Sequence, residues 1–205
     1  MRDSALDELQ NADDADAVEL AWARIAENMD DLFTDPKDVA PLRQAILQLA
    51  VRGRLVPQGP NDEPASELLT KIAEEKQRLI AEKKIRKPKA LPPIEPDEVP
   101  FAVPEGWAWT RLQNICRQIT DGAHHTPTYV AQGVPFLSVK DVSSGFMNFS
   151  NCRYISAAQH KDLSQRCRPQ RGDLLLTKVG TTGVPVVVDT DREFSLFVSV
   201  ALLKH

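Results

Sequence analysis

The chain has 205 residues, 42% of them apolar and 26% charged, with a formal net charge of −4. That apolar share supports a packed core and excludes global disorder, and no apolar run is long enough for a membrane-spanning helix. The stretch from Met1 to Glu19 is acidic and has no apolar core of the kind a secretory signal carries. Cys116, Cys152 and Cys167 are few, odd in number and unpatterned, which fits free thiols in a reducing cytoplasm. The net charge hides an uneven distribution. Residues 1–40 carry 3 basic and 12 acidic side chains, residues 41–90 carry 11 and 6, and residues 91–205 carry 11 and 11. Each charged run is either a solvated helix face or a surface for a partner.

The first predicted helix covers 15–33. Val18, Trp22, Ile25, Met29 and Leu32 recur at spacings of 4, 3, 4 and 3 and form one apolar stripe. A second helix opens at Pro41, whose missing N–H is no loss in a first turn. Leu42, Ala45, Ile46 and Leu49 share its inner face, Gly53 supplies a left-handed cap, and Leu55 with Val56 is expected to close back over it. Pro57, Gly59 and Pro60 mark a loop. A third helix is predicted from Ala65 to Arg86, with Leu68, Leu69, Ile72, Leu79 and Ile80 as its apolar stripe and a basic second half.

Between Lys87 and Pro104 lie six prolines, at 88, 92, 93, 96, 100 and 104. Such a segment is a stiff spacer rather than a helix. After it the texture changes. Short apolar runs at Val134–Val139, Leu174–Val179, Val184–Val188 and Phe194–Leu203 predict strands, with glycines at the turns and one short helix over Gln159–Cys167. The expected fold class is therefore α+β: a helical region over 1–86, a proline-rich linker over 87–104, and a mixed, β-rich domain over 105–205.

Several chemistries have no support. There is no phosphate-cradling glycine–lysine loop, because the turn Gly180-Thr181-Thr182-Gly183 lacks the lysine and the following helix. Leu91-Pro92-Pro93-Ile94 lacks the polar residue and the aromatic with which an amino-methyltransferase holds a flipped base. Acid-x-Lys triplets at Asp35–Lys37, Glu74–Lys76 and Glu82–Lys84 are common by chance, and metal-dependent cutting needs convergent carboxylates. His124, His125, Cys116, Cys152, His160 and Cys167 show no zinc-ligand spacing, so no metal is expected.

Two polar segments remain. Thr120-Asp121-Gly122-Ala123-His124-His125-Thr126-Pro127 gathers hydroxyl, imidazole and backbone N–H groups, which suit phosphates and base edges; it also reads as an ordinary turn. Thr177-Lys178-Val179-Gly180-Thr181-Thr182-Gly183 places a lysine beside two threonines and two glycines, which lets backbone approach a polyanion; it also reads as a hairpin with a solvated lysine.

These segments, in order with Val134-Pro135-Phe136-Leu137-Ser138-Val139-Lys140-Asp141-Val142 and with Gly172-Asp173-Leu174-Leu175-Leu176, resemble a target-recognition domain of Type I restriction-modification specificity subunits. So does the stretch Val103-Pro104-Glu105-Gly106-Trp107-Ala108-Trp109. Leu42 to Gly53 and Pro64-Ala65-Ser66-Glu67-Leu68-Leu69 are similar to the region before such a domain. The resemblance implies a non-catalytic reader of double-stranded DNA, in which two recognition domains each read half of a split site. It implies as partners modification subunits, which hold S-adenosylmethionine, and a restriction subunit, which holds ATP and magnesium; this chain itself needs no cofactor. It makes Thr120, Asp121, Gly122, His124, His125, Thr126, Lys140, Lys178, Gly180, Thr181 and Thr182 the expected DNA contacts. Ala123 stands where the family often has threonine, which removes one hydroxyl contact. Family members are about twice as long, so the chain reads as stopping inside the first recognition domain, as a piece of a longer protein or a truncated product. The competing reading is a protein-interaction remnant that binds a modification subunit without reading DNA.

Overall fold

The acidic opening folds as a helix. In the computed structural model, which describes residues 1–205, α1 runs over Arg2–Gln10 and buries Leu6 and Leu9 on one side. Asp14 then caps α2 (Ala15–Glu27), its carboxylate accepting the Ala17 N–H at 2.8 Å. At Asn28 the helix breaks, the side-chain amide donating to the Arg24 carbonyl, and a single turn follows as α3 (Met29–Leu32). The expected 15–33 helix is thus two pieces. Ile25 is buried as expected, but Trp22 is 41% exposed, and Ala21 takes the inward place. A methyl group there lets α1, α2 and the helix to come close on Leu6, Leu9, Ile25, Ala45 and Leu49.

That helix, α4 (Val39–Val51), starts two residues before Pro41. A 3-10 turn, Pro36–Asp38, leads into it. Asp35 accepts the Lys37 N–H at 2.9 Å, the buried Asp38 accepts the Asp35 N–H at 3.1 Å, and Arg2 pairs with Asp38. Gly53 ends the segment at φ +69°. Its N–H reaches the Ala50 carbonyl at 3.0 Å, and that of Arg54 reaches Leu49 at 2.8 Å, the paired bonds of a left-handed helix cap. The expected apolar closure is absent, since Leu55 and Val56 are exposed. A Cβ on Gly53 would lie 2.8 Å from Pro104, and Trp107 nearby donates its indole N–H to Gln58 at 2.7 Å.

The helix α5 (Ala65–Ala81) stops five residues before Arg86. Lys83 adopts the left-handed region, φ 58°, and the N–H groups of Lys83 and Lys84 return to Ile80 and Leu79 at 3.0 and 2.9 Å. The proline-rich segment has no regular element except a 3-10 turn at Pro96–Glu98. Two compact units result: Met1–Lys71 with Leu91–Thr110, and Ile72–Ala90 with Arg111–His205.

After α5 the second unit resumes with a single turn, α6 (Leu112–Ile115), whose Gln113 and Asn114 carbonyls accept the Lys76 ammonium. Its strands are β1 (Gln118–Asp121), β2 (Tyr129–Leu137), β3 (Arg153–Ile155), β4 (Leu174–Thr177), β5 (Pro185–Val187), β6 (Ser195–Leu196) and β7 (Val200–Lys204). A helix, α7 (Ala157–Ser164), follows β3 and is capped by Ser156. One antiparallel sheet has the order β1-β7-β4-β5; the other, β3-β2-β6, pairs β2 antiparallel with β3 and parallel with β6.

The predicted strand Phe194–Leu203 is in fact two. Phe197, Val198 and Ser199 carry the chain from one sheet to the other, and both flanking strands bury apolar residues in the same core. Leu137, Val142, Leu175, Val186, Val188, Phe194, Leu196, Val200 and Leu202 form it. Phe136, Ile155 and Ala123 make a smaller cluster beside it. The fold is α+β, and no helix is long and apolar enough to cross a membrane.

Candidate nucleic-acid interface

Thr120 and Asp121 lie not in a loop but at the end of β1, paired with Leu202 and Ala201. Gly122 follows, and it has no alternative. A Cβ built on it would fall 1.9 Å from the Leu196 carbonyl oxygen, so only hydrogen fits. Ala123 bonds through its N–H to that same carbonyl at 2.8 Å, and its own carbonyl accepts the Val198 N–H at 3.0 Å. Its side chain is buried against Phe136 and Ile155. A hydroxyl at this position would face the core, which corrects the expectation that Ala123 costs an exposed contact. His124, His125 and Thr126 then emerge into solvent.

The second polar segment is a hairpin closed by Thr177. This threonine accepts the Val184 N–H through Oγ1 at 2.9 Å and the Gly183 N–H through its carbonyl at 2.8 Å. Lys178 to Gly183 project from it, exposed, with Gly180 and Gly183 at φ +78° and +81°. A Cβ on Gly180 would lie 3.7 Å from the Val139 side chain, so the hairpin rests beside the 3-10 turn Val139–Asp141. Lys140 is exposed on that turn, and its ammonium donates to the Asn151 carbonyl at 2.8 Å.

Asp121 draws the pieces together. One carboxylate oxygen accepts His124 Nε2 at 2.8 Å and the Arg166 guanidinium at 3.0 Å; the other accepts the Lys178 ammonium. Burial acts to raise the pKa of this carboxyl, but the hydrogen bonds from Lys178, Arg166 and His124 outweigh it and hold the group well below the usual carboxylate range. Lys178, for which a solvated hairpin lysine was the alternative reading, is ion-paired with Asp121 and still partly exposed. Two fixed cations against one carboxylate leave the cluster with positive charge.

Two residues that organise this surface carried no signal in the sequence. Arg166 lies beyond α7, inside what read as the end of a helix. Besides Asp121 it donates to the Gly122 carbonyl and, at 3.3 Å, to Thr120 Oγ1. Ser199 lies in the crossing between the sheets, inside what read as one strand. Its Oγ accepts the Val139 N–H at 3.1 Å and its carbonyl accepts the Lys178 N–H at 3.0 Å. With Val198 on Ala123, the crossing anchors all three exposed segments, and Thr120, Asp121, Gly122, His124, Lys140, Lys178 and Gly180 are set around it.

The other chemistries considered from sequence find no assembly here. Asp35 pairs with Lys37 at 3.2 Å, and Glu82 pairs with Lys84 at 2.7 Å. The three cysteines are buried and unpaired, and no group of three or more His, Cys, Asp or Glu is placed to hold a metal. His160 is buried and shares a hydrogen bond with Ser195 Oγ at 2.9 Å.

No family model matches the chain. Among curated proteins it is 47% identical over 145 residues to the Type I restriction enzyme EcoAI specificity subunit of Escherichia coli. It is 51% identical over 112 residues to the EcoEI specificity subunit of the same organism. These matches cover 70% and 54% of this chain but 25% and 19% of the relatives, so the chain spans about a quarter of their length or less. The relatives are accordingly nearer three times than twice its length, a correction to the doubling expected from the resemblance. Over more than two thirds of its residues, this chain is a sequence relative of the specificity subunits of Type I restriction enzymes.

Proposed function

We propose that the chain reads duplex DNA within a Type I specificity subunit and directs methylation and cleavage performed by other subunits, with no catalytic site of its own. The observation that carries this reading is the surface around Asp121. Segments at 120–126, 139–140 and 178–183, far apart in sequence, are tied together through Asp121, Arg166 and Ser199; they expose His124, His125, Thr126, Lys140 and Lys178 to Gly183, and two cations stand against the Asp121 carboxylate. Such a face suits phosphate contacts that set register and a few side chains that read base edges. In this reading His124, His125 and Thr126 reach bases, while Lys140, Lys178 and the Gly180-Thr181-Thr182 turn meet the backbone.

On this function the chain comprises a helical region over 1–86, a linker over 87–104 and a recognition domain over 105–205. The modification subunits would bring S-adenosylmethionine, and the restriction subunit ATP and magnesium, in the cytoplasm.

The test grafts residues 98–205 onto the remainder of a related specificity subunit and maps methylated sites across a genome. Alanine at His124, His125 or Thr126 is expected to relax or abolish recognition of one half-site only, since removing a base-reading side chain costs ~1–3 kcal/mol. Lys178→Ala is expected to weaken all sites alike and modestly. Unchanged methylation and affinity for every substitution, with the fold intact by circular dichroism, would refute the assignment.

A further inference from the structure

Two cations of the proposed DNA surface share a single acid of that surface. Lys178 and Arg166 both donate to Asp121, each to a different carboxylate oxygen. The two are not held alike. Arg166 has further acceptors in the Gly122 carbonyl and Thr120 Oγ1, which fix its guanidinium to the end of β1. The Lys178 ammonium has Asp121 as its one hydrogen-bond acceptor, sits at the root of an exposed hairpin, and is 39% exposed. A lysine is a compact point charge on a flexible stem, able to change acceptors at little geometric cost, whereas a forked arginine with three acceptors is not.

A carboxylate and a phosphate diester offer the same acceptor chemistry, two oxygens sharing one negative charge. We propose that Asp121 is an internal stand-in for a DNA phosphate: it orders Lys178 while the surface is empty and yields it to the backbone of a bound duplex, Arg166 keeping Asp121 in place. This deepens the DNA-reading proposal and rests on it. The exchange trades one charge-assisted hydrogen bond for another, so Lys178 contributes only modestly to net affinity, and the Asp121 charge competes with the duplex for it. The carboxylate thus competes with backbone phosphates for the lysine and lowers affinity for duplex DNA whatever its sequence.

The experiment measures binding of the 205-residue chain to a duplex of unrelated sequence by fluorescence anisotropy across a salt series. Four proteins are compared: wild type, Asp121→Asn, Lys178→Ala and the double variant. Asp121→Asn is expected to bind about fivefold more tightly, the scale of one exposed charge pair, with the salt slope steeper by ~0.9 for one further phosphate neutralised. Lys178→Ala is expected to weaken wild-type binding modestly and to remove the gain in the Asp121→Asn background. Equal affinity and slope for wild type and Asp121→Asn would overturn the inference while leaving DNA reading intact, as would a gain that survives Lys178→Ala. Absence of duplex binding by all four would overturn both. Should Asp121→Asn not fold, wild-type protein decides. The 15N signal of the Lys178 ammonium, identified by its disappearance in Lys178→Ala, is expected to move when duplex is added. A signal that stays in place while the duplex binds would overturn the exchange.

Discussion

Ser199 Oγ accepts the backbone N–H of Val139 at 3.1 Å, across 60 residues of sequence. Both are protected from solvent, Ser199 almost completely. Ser199→Ala leaves that N–H without an acceptor in a place water reaches poorly. The expected loss is about 1–2 kcal/mol of unfolding free energy, measured by urea titration. Amide exchange at Val139 and Lys140 should accelerate more than at β4, because the 3-10 turn loses its tether and the strand does not.

Gly122→Ala tests the closest backbone approach in the second unit. The added methyl would meet the Leu196 carbonyl, which is itself bonded to Ala123, and neither backbone has room to withdraw. The expected destabilisation is at least ~3 kcal/mol by the same titration. Gly145→Ala is the control. It has open space around its Cβ position and only the strain of φ +88°, and should cost about 1 kcal/mol.

The Asp121 cluster predicts a pH dependence of definite sign. The folded carboxyl titrates below an unfolded aspartate, near pH ~3.9, because hydrogen bonds from three donors outweigh its burial. Its stabilisation is therefore complete above about pH 4 and is lost as pH falls through the folded value. Melting temperatures of wild type and Asp121→Asn, followed from neutral pH into acid, should differ most above pH ~4 and converge below it. A constant difference at all pH values would show that the aspartate acts by shape rather than charge.

Cys167 is buried, and that burial pushes its thiol up to about 11; burial also raises Cys116, with Lys76 opposing. Cys152 is buried too. Native protein at pH 8 is expected to react with Ellman's reagent at well under a tenth of the rate of a free thiol, and all three sites should react on unfolding.

The basic stretch after α5 is expected to add sequence-independent affinity for duplex DNA. Lys71, Arg78 and Lys84 are paired with Glu63, Glu75 and Glu82, and Lys76 is spent on two carbonyls, so much of the charge along the helix is already compensated. Neutralising Lys83, Lys84 and Arg86 together should flatten the salt slope of duplex binding by ~0.9 for each phosphate these side chains had neutralised. An unchanged slope would place that face against protein or solvent.

The helices were legible in sequence where a residue can do one thing only. Gly53 after an apolar period announces a left-handed cap, and the cap is there. Lys83 performs the same act without the chemistry that announces it, so α5 read too long. α1 was invisible as a separate helix because its sequence is mostly acidic and polar, with Leu6 and Leu9 supplying its buried face. Gln118–Asp121 is a mostly polar edge strand, and its pairing with β7 is what makes it a strand. The run Phe194–Leu203 contains neither glycine nor proline, so nothing local marks the point where it changes sheets. The polar segments of the candidate site were visible as composition. What brings them together was not, because Arg166 and Ser199 act on residues some 20 to 60 positions away, partly through backbone carbonyl and N–H groups, with no local pattern to pair them.

The strand β7 lies between β1 and β4, pairing Gln118 with Lys204. A ribosome releases β1 long before β7, so β1 leaves the exit tunnel with no strand to pair with. The three-helix cluster of α1, α2 and α4 closes over much shorter stretches of chain. Synthesis therefore imposes an order: the helical unit can settle first, while the four-stranded sheet and the surface it holds around Asp121 assemble late and together. A nascent chain can form the Lys178–Gly183 hairpin and the Val139–Asp141 turn early, but sets them around β1 only once the crossing at 197–199 has been made.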